Sequence, residues 1–153
     1  MKKLLSLILV LVLALSAAGC GAEPAEEEKP VDLQAVYDGL ALPEMLVLDA
    51  NTVMNMMGIR ADACKQMIVA VCADGLRTDE IWLLEAADDE SFRELSELAE
   101  NRIQIKANET RDYTPDQYAV VELAEVLQNG RYLALLVSPD VADFKTAWET
   151  AFN

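Results

Sequence analysis

Asn129-Gly130 constrains this chain more than any other pair of residues. It joins two short strand-like runs, 125–128 and 131–137, and Asn-Gly is the strongest short-range signal for a tight β-hairpin, whose turn needs left-handed backbone dihedrals. A second pair of apolar runs, 66–72 and 80–86, flanks a polar segment holding Asp74-Gly75 and predicts another hairpin with a looser loop. Four antiparallel strands bury their apolar residues only if something covers a face of the sheet, so the helical segments decide the architecture.

Val31 begins a run with Leu33, Val36, Tyr37 and Leu40 at helical spacing, with Asp32 as N-cap and Pro43 as the stop. A short helix over 51–57 ends at Gly58; its Met54, Met56 and Met57 do not share one face and read as packing rather than a metal-binding cluster. Asp88 opens a long helix, with Asp89 and Glu90 in its positive first turn and Phe92, Leu95, Leu98, Ala99 and Ile103 forming a stripe to about Lys106. Thr114-Pro115-Asp116-Gln117 has the layout of a helix start, with a Thr cap, Pro at the first position and Gln three residues on. Ser138-Pro139 is expected to cap a last helix that turns Val141, Phe144, Trp148, Ala151 and Phe152 inward. The expectation is an α+β domain of two layers over residues 31–153, a four-stranded antiparallel sheet made of two hairpins, with helices on one face and water on the other. Residues 81–101 laid on 133–153 agree at seven of twenty-one positions, which suggests a duplicated β-β-α unit. Convergence of two such units under the same packing rules explains the agreement equally well.

The segment before this domain reads as an address. Met1-Lys2-Lys3 is a short positive start, Leu4 to Ala18 is apolar except for Ser6 and Ser16, and Ala17-Ala18-Gly19 leads into Cys20. This is signal-peptide grammar over residues 1–19. The apolar run is about fifteen residues, short of the ~20 that span a bilayer. A cleavage site ending on cysteine resembles a bacterial lipobox, and by that resemblance Cys20 carries the lipid on its sulfur and becomes the mature N-terminus. A plain secretory signal is the rival, since Ala17 stands where a lipobox more often has Leu. Residues 20–30 contain no aromatic or large aliphatic side chain and read as a flexible acidic tether, reaching roughly 15–20 Å as a coil.

The leader holds two lysines and no acid, so cleavage before Cys20 leaves 10 basic and 27 acidic residues, net −17. That charge argues against nucleic acid and anionic lipid surfaces as partners. There is no histidine, which removes Ser-His-Asp and Cys-His catalysis and imidazole-based metal sites. No Asp-x-Asp-x-Asn-Gly calcium loop occurs, so neither a metal nor a cofactor is expected. Cys64 and Cys72, eight residues apart on one extended segment, lie ~26 Å apart, which makes them two separate thiols.

Carboxylates are the chemistry that remains. Asp79 and Glu80 stand at a strand entrance, and Glu85 lies within Trp82-Leu83-Leu84-Glu85-Ala86. A hydrolase of an envelope glycan would bury Glu85 with a raised pKa beside a second carboxylate; alternation instead turns it to water on the open face. With 27 acids, pairs arise by chance, so the expectation is no enzyme. The candidate binding patch is Arg102, Asp112, Tyr113, Asp116 and Tyr118, two acids and two tyrosines around a helix start, suited to a basic or carbohydrate partner. The plainer reading pairs Arg102 with Asp112 across an interhelix connector.

Several short runs also carry a family likeness: Leu42-Pro43-Glu44-Met45, Met57-Gly58-Ile59, Thr78-Asp79-Glu80-Ile81, Arg102, Asp112 through Tyr118, Asn129-Gly130-Arg131-Tyr132 and Leu136-Val137-Ser138. In these the chain resembles a family of small lipoproteins of Gram-positive, often gut-dwelling, anaerobic bacteria, catalogued as a domain of unknown function. It departs from the family at Met57, where an aromatic residue is expected before Gly58. The resemblance implies a lipid-anchored protein with one folded domain and brings no catalytic residue with it. The expected function is therefore a non-catalytic binding module, tethered by lipid to the outer face of the cytoplasmic membrane. Its partner would be an envelope protein, a glycan or a small ligand, with a homodimer left open.

Overall fold

The computed structural model describes residues 30–153. The leader, Cys20 and the tether before Pro30 lie outside the described residues. Val31–Asn153 forms one compact unit. Its elements in chain order are α1 (Leu33–Asp38), β1 (Met45–Val47), α2 (Ala50–Met57), a 3-10 turn (Ala61–Ala63), β2 (Cys64–Cys72), β3 (Glu80–Ala86), α3 (Asp89–Thr110), α4 (Pro115–Val121), β4 (Glu125–Asn129), β5 (Tyr132–Val137) and α5 (Val141–Ala151). The strands make one antiparallel sheet in the order β1-β2-β3-β5-β4.

Two sequence expectations need correction. The sheet has five strands rather than four, because Met45–Val47 adds to β2 as an edge, with Leu46 opposite Val71; three residues are too few for alternation to announce a strand. Helices also cover both faces, giving three layers rather than two. On the first face α2, α3 and α4 bury Val53, Met57, Leu95, Ala99 and Val121 against Val69, Trp82, Leu84, Leu133 and Leu135. On the second, α1 and α5 bury Leu33, Val141, Phe144 and Trp148 against Ile68, Ile81, Leu83, Ala134 and Leu136. The unbroken apolar run of β5, Tyr132 to Val137, is buried at every position, the mark of a strand packed on both sides.

This arrangement also removes the repeat. A two-fold axis normal to the sheet would relate the antiparallel neighbours β3 and β5 and send both following helices to one face. Instead α3 and α5 lie on opposite faces, and the alignment pairs Leu83 of the second-face core with Leu135 of the first. The two hairpin–helix units are not equivalent.

Local signals fared better. Asp32 caps α1 by accepting the amide N–H groups of Gln34 and Ala35, although the helix ends at Gly39, before Pro43. Asp88 accepts the Ser91 N–H and starts α3, which runs four residues past the expected Lys106. Gly58 closes α2 at φ 77°. The β4–β5 turn is Gly130-Arg131, one residue later than the expected Asn129-Gly130, because Asn129 pairs with Tyr132; Gly130 sits at φ 54°, and both glycines hold left-handed values that an L side chain resists. Of the three α2 methionines only Met57 packs inside, while Met54 and Met56 are exposed. Thr114 precedes α4 without a side-chain cap bond, and α5 starts after Asp140, whose N–H meets the Ser138 hydroxyl.

Candidate functional site

The β3 residues with even numbers face α3, and this row begins with a charge. Glu80 pairs with Val71 on one side and Val137 on the other, so its carboxylate rises from an apolar strip and is fully buried. It stays there because α3 supplies cations one helical turn apart. Arg102 donates from Nε to Oε1 and from Nη2 to Oε2, both at 2.8 Å. Lys106 Nζ reaches Oε2 at 2.9 Å and also donates to the Thr78 carbonyl at 2.9 Å. Trp82 Nε1–H completes the set on Oε1 at 2.8 Å. Burial is the largest single influence on Glu80 and pushes its carboxyl up; the Arg102 hydrogen bond, the Lys106 charge and the Arg102 charge together outweigh it and hold the group below the ordinary carboxylate range. Arg102 is raised, chiefly by its hydrogen bond to Glu80.

The same end of the sheet carries two further ties. Asp79, also buried, accepts a two-pronged pair from Arg77, Nε to Oδ2 at 2.9 Å and Nη2 to Oδ1 at 2.8 Å. Gln117 does not reach back to Thr114 as a capping box would; its Oε1 accepts the Thr78 N–H at 2.9 Å and the Thr78 hydroxyl at 3.2 Å. The β2–β3 loop, the C-terminal end of α3 and the start of α4 are thus stitched together. α3 spans 22 residues, about 33 Å at 1.5 Å per residue, and outruns the seven-residue strand beneath it.

Beyond these ties lies the tip. Tyr113 is 85% exposed and Leu76, in the β2–β3 loop, 82%; Asp74, Asp112 and Asp116 are exposed there too. Tyr118 lies under the Arg111 guanidinium, 5.5 Å from its centroid. Of the five expected patch residues the structure keeps Asp112, Tyr113, Asp116 and Tyr118 on one connector and helix start. It takes Arg102 away to Glu80, so the pairing of Arg102 with Asp112 does not form. The tip is at the end of the sheet marked by Glu80 and Val137. The chain enters the domain at the other end, five residues along β3 or ~17 Å away, where Gln66 and Tyr132 hold Val31.

Glu85 is a second correction. With the open face covered, its side chain is only 12% exposed. It accepts from Gln66 Nε2 at 2.7 Å, with Lys65 Nζ at 3.9 Å, so it orients an amide that holds the N-terminal segment and faces no second carboxylate in those contacts. Cys64 and Cys72 are separate free thiols at the two ends of β2; burial first, then Asp62, pushes the Cys64 thiol up to about 11. Among the described residues no three His, Cys, Asp or Glu side chains converge to hold a metal ion, and no helix is long and apolar enough to cross a membrane.

The sequence offers Glu80 as a candidate carboxylate and Gln117 as part of a helix start; the pairing of Glu80 with Arg102 and Lys106, and of Thr78 with Gln117, was missed, yet a signal for the charged set was there. Continuing the α3 stripe from Leu95 and Ala99 by steps of three and four lands on Arg102 and Lys106, and continuing the Leu84, Trp82 alternation backwards lands on Glu80. Opposite charges that interrupt two facing apolar stripes in step are a pairing signal.

Residues 39–138 match the model of one protein family, the Domain of unknown function (DUF4358). No curated protein and no solved structure gives a significant match. The matched span begins at Gly39, just after α1, and ends at Ser138, just before α5.

Proposed function

From the premise that this chain belongs to the DUF4358 family, a domain of unknown function, we propose that it is a bacterial lipoprotein, of the kind made by Gram-positive anaerobes. In this reading it is exported, held by lipid on Cys20 at the outer face of the cytoplasmic membrane, and works without catalysis as a binding module of the cell envelope. Its contact surface is the tip, formed by Asp112, Tyr113, Asp116 and Tyr118, next to the β2–β3 loop that Gln117 ties down. The observation that carries this is the contrast between Glu80 and Tyr113. The charges of Glu80, Arg102 and Lys106 are consumed in an internal set, whereas a tyrosine and several carboxylates project beyond it.

An aromatic ring rimmed by carboxylates suits a partner presenting a basic side chain or a sugar face. Placement of the tip away from Val31, where the tether joins, supports a surface presented outward. A hydrolase acting on an envelope glycan is disfavoured because Glu80, Asp79 and Glu85 each spend their oxygens on fixed donors rather than facing one another across a cleft.

A photo-reactive side chain at position 113 in the native cell tests the reading. Adducts to one envelope component from position 113, and none from position 128 in β4, are expected; capture from both sites alike, or of nothing but the protein itself, would refute the tip as a contact surface. The anchor has its own test: Cys20→Ala should release the protein from the membrane fraction, and full retention would rule out the lipid.

A further inference from the structure

The second face of the sheet is covered by two helices of unequal grip. α5 buries Val141, Phe144 and Trp148, and Phe152 just beyond it lies 4.8 Å from Trp148 and 5.2 Å from Tyr132, centroid to centroid. α1 has six residues and buries only Leu33 completely; Val36, Tyr37 and Leu40 pack in part. Two side chains supply its polar fastening. Gln66 accepts the Leu33 N–H (3.0 Å) and donates to the Val31 carbonyl (2.8 Å), and the Tyr132 hydroxyl accepts the Val31 N–H (3.1 Å). A six-residue helix does not persist alone in water, so α1 owes its form to the groove it fills. The family match starts where α1 ends, so the shared unit leaves this part of the sheet to be covered from outside it.

We propose that the groove between β2, β3 and α5 is a docking site with an exchangeable occupant: residues 31–38 of a second copy replace the chain's own, giving a dimer by reciprocal exchange of α1. A second copy is the occupant that fits, because the resident helix defines what the groove accepts. The ligand is a short amphipathic helix with an acidic cap before a leucine, and apolar residues three and four positions after it, as in Asp32, Leu33, Val36 and Tyr37. Gln66, oriented by Glu85, reads the first-turn N–H. Exchange needs no threading, since α1 is the first element of the domain and residues 39–44 form the link that must re-aim. The inference does not involve the tip and stands or falls separately from it.

The test uses the full chain and a fluorescent peptide of residues 30–42. Wild-type protein should take the peptide up slowly and saturably, and Leu33→Ala, whose own helix is released, at least tenfold more tightly. Full chains carrying donor and acceptor dyes should gain energy transfer on mixing, and excess peptide should abolish it. Peptide uptake without energy transfer would overturn the second-copy assignment, and no uptake by either protein would overturn the groove. Should Leu33→Ala fail to fold, hydrogen exchange on the wild type decides: Leu33 and Val36 amides must exchange at least tenfold faster than those of Leu83 and Leu135. Equal protection would refute an exchangeable α1.

Discussion

The two faces of the sheet are closed by different means. On the first, the helices lie inside the family match and a charged set, Glu80 with Arg102 and Lys106, is sealed among apolar side chains. On the second, both helices lie outside the match, and a glutamine and a tyrosine hold backbone atoms of the N-terminal segment, the glutamine amide being oriented by a glutamate. The two fastenings fail in different ways. A buried ion set has one arrangement that satisfies every donor, so it locks α3 to β3 in a single register and braces the tip. Apolar contacts and amide hydrogen bonds are met equally well by an identical segment from elsewhere, so that face admits exchange.

Breaking the charged set should have the largest effect. Glu80→Ala leaves Arg102 and Lys106 buried without a counter-charge, and should cost about 3–5 kcal/mol in urea unfolding. Replacing all three by apolar residues of similar size should cost far less, because no orphaned charge remains; comparable losses from the single and triple variants would show that the charges are not what binds α3 to β3. Acid sharpens the same point. Glu80 is held below its ordinary 4.5, so its stabilisation is complete above that pH and disappears as pH falls through the lowered folded value. Glu80→Gln should flatten that limb of a pH-stability curve, and an unchanged limb would assign acid sensitivity elsewhere.

Next comes the second face. Trp148→Ala should cost about 3–4 kcal/mol through lost burial and the cavity left behind. Leu33→Ala should cost only about 2 kcal/mol, near the low end for such truncations, because α1 lifts away instead of enclosing a void. A larger loss from Leu33 than from Trp148 would reverse the ranking of the two helices. Smaller still, Gly130→Ala should cost about 1–2 kcal/mol, since Ala resists the left-handed dihedral of the hairpin turn, with no change at either face.

Much of this was legible in the residues. Both hairpins, the Asp32 and Asp88 caps, the Gly58 stop and the inward stripe of α5 follow from local rules, and local rules do not depend on what packs overhead. β1 was not legible, because an edge of three residues is decided by the availability of β2 rather than by its own pattern. Nor was the choice of face for α1 and α5: an amphipathic helix announces that it packs, not on which side of a sheet. The tyrosines and acids of the tip are neighbours in the sequence and so were grouped at once, whereas Arg102, grouped with them, bonds Glu80 instead. Its partner Glu80 lies 22 residues away, and only the meeting of two facing stripes reveals the pair.

In the function proposed above, braced interior charges hold the fold and projecting tip residues make contact, a separation of work between the two. It is tested most directly by thermal unfolding and partner capture measured together on one double variant, Asp112→Ala with Tyr113→Ala. The account expects stability within about 0.5 kcal/mol of the parent and loss of capture. Capture at the parental level in a protein of parental stability would contradict it.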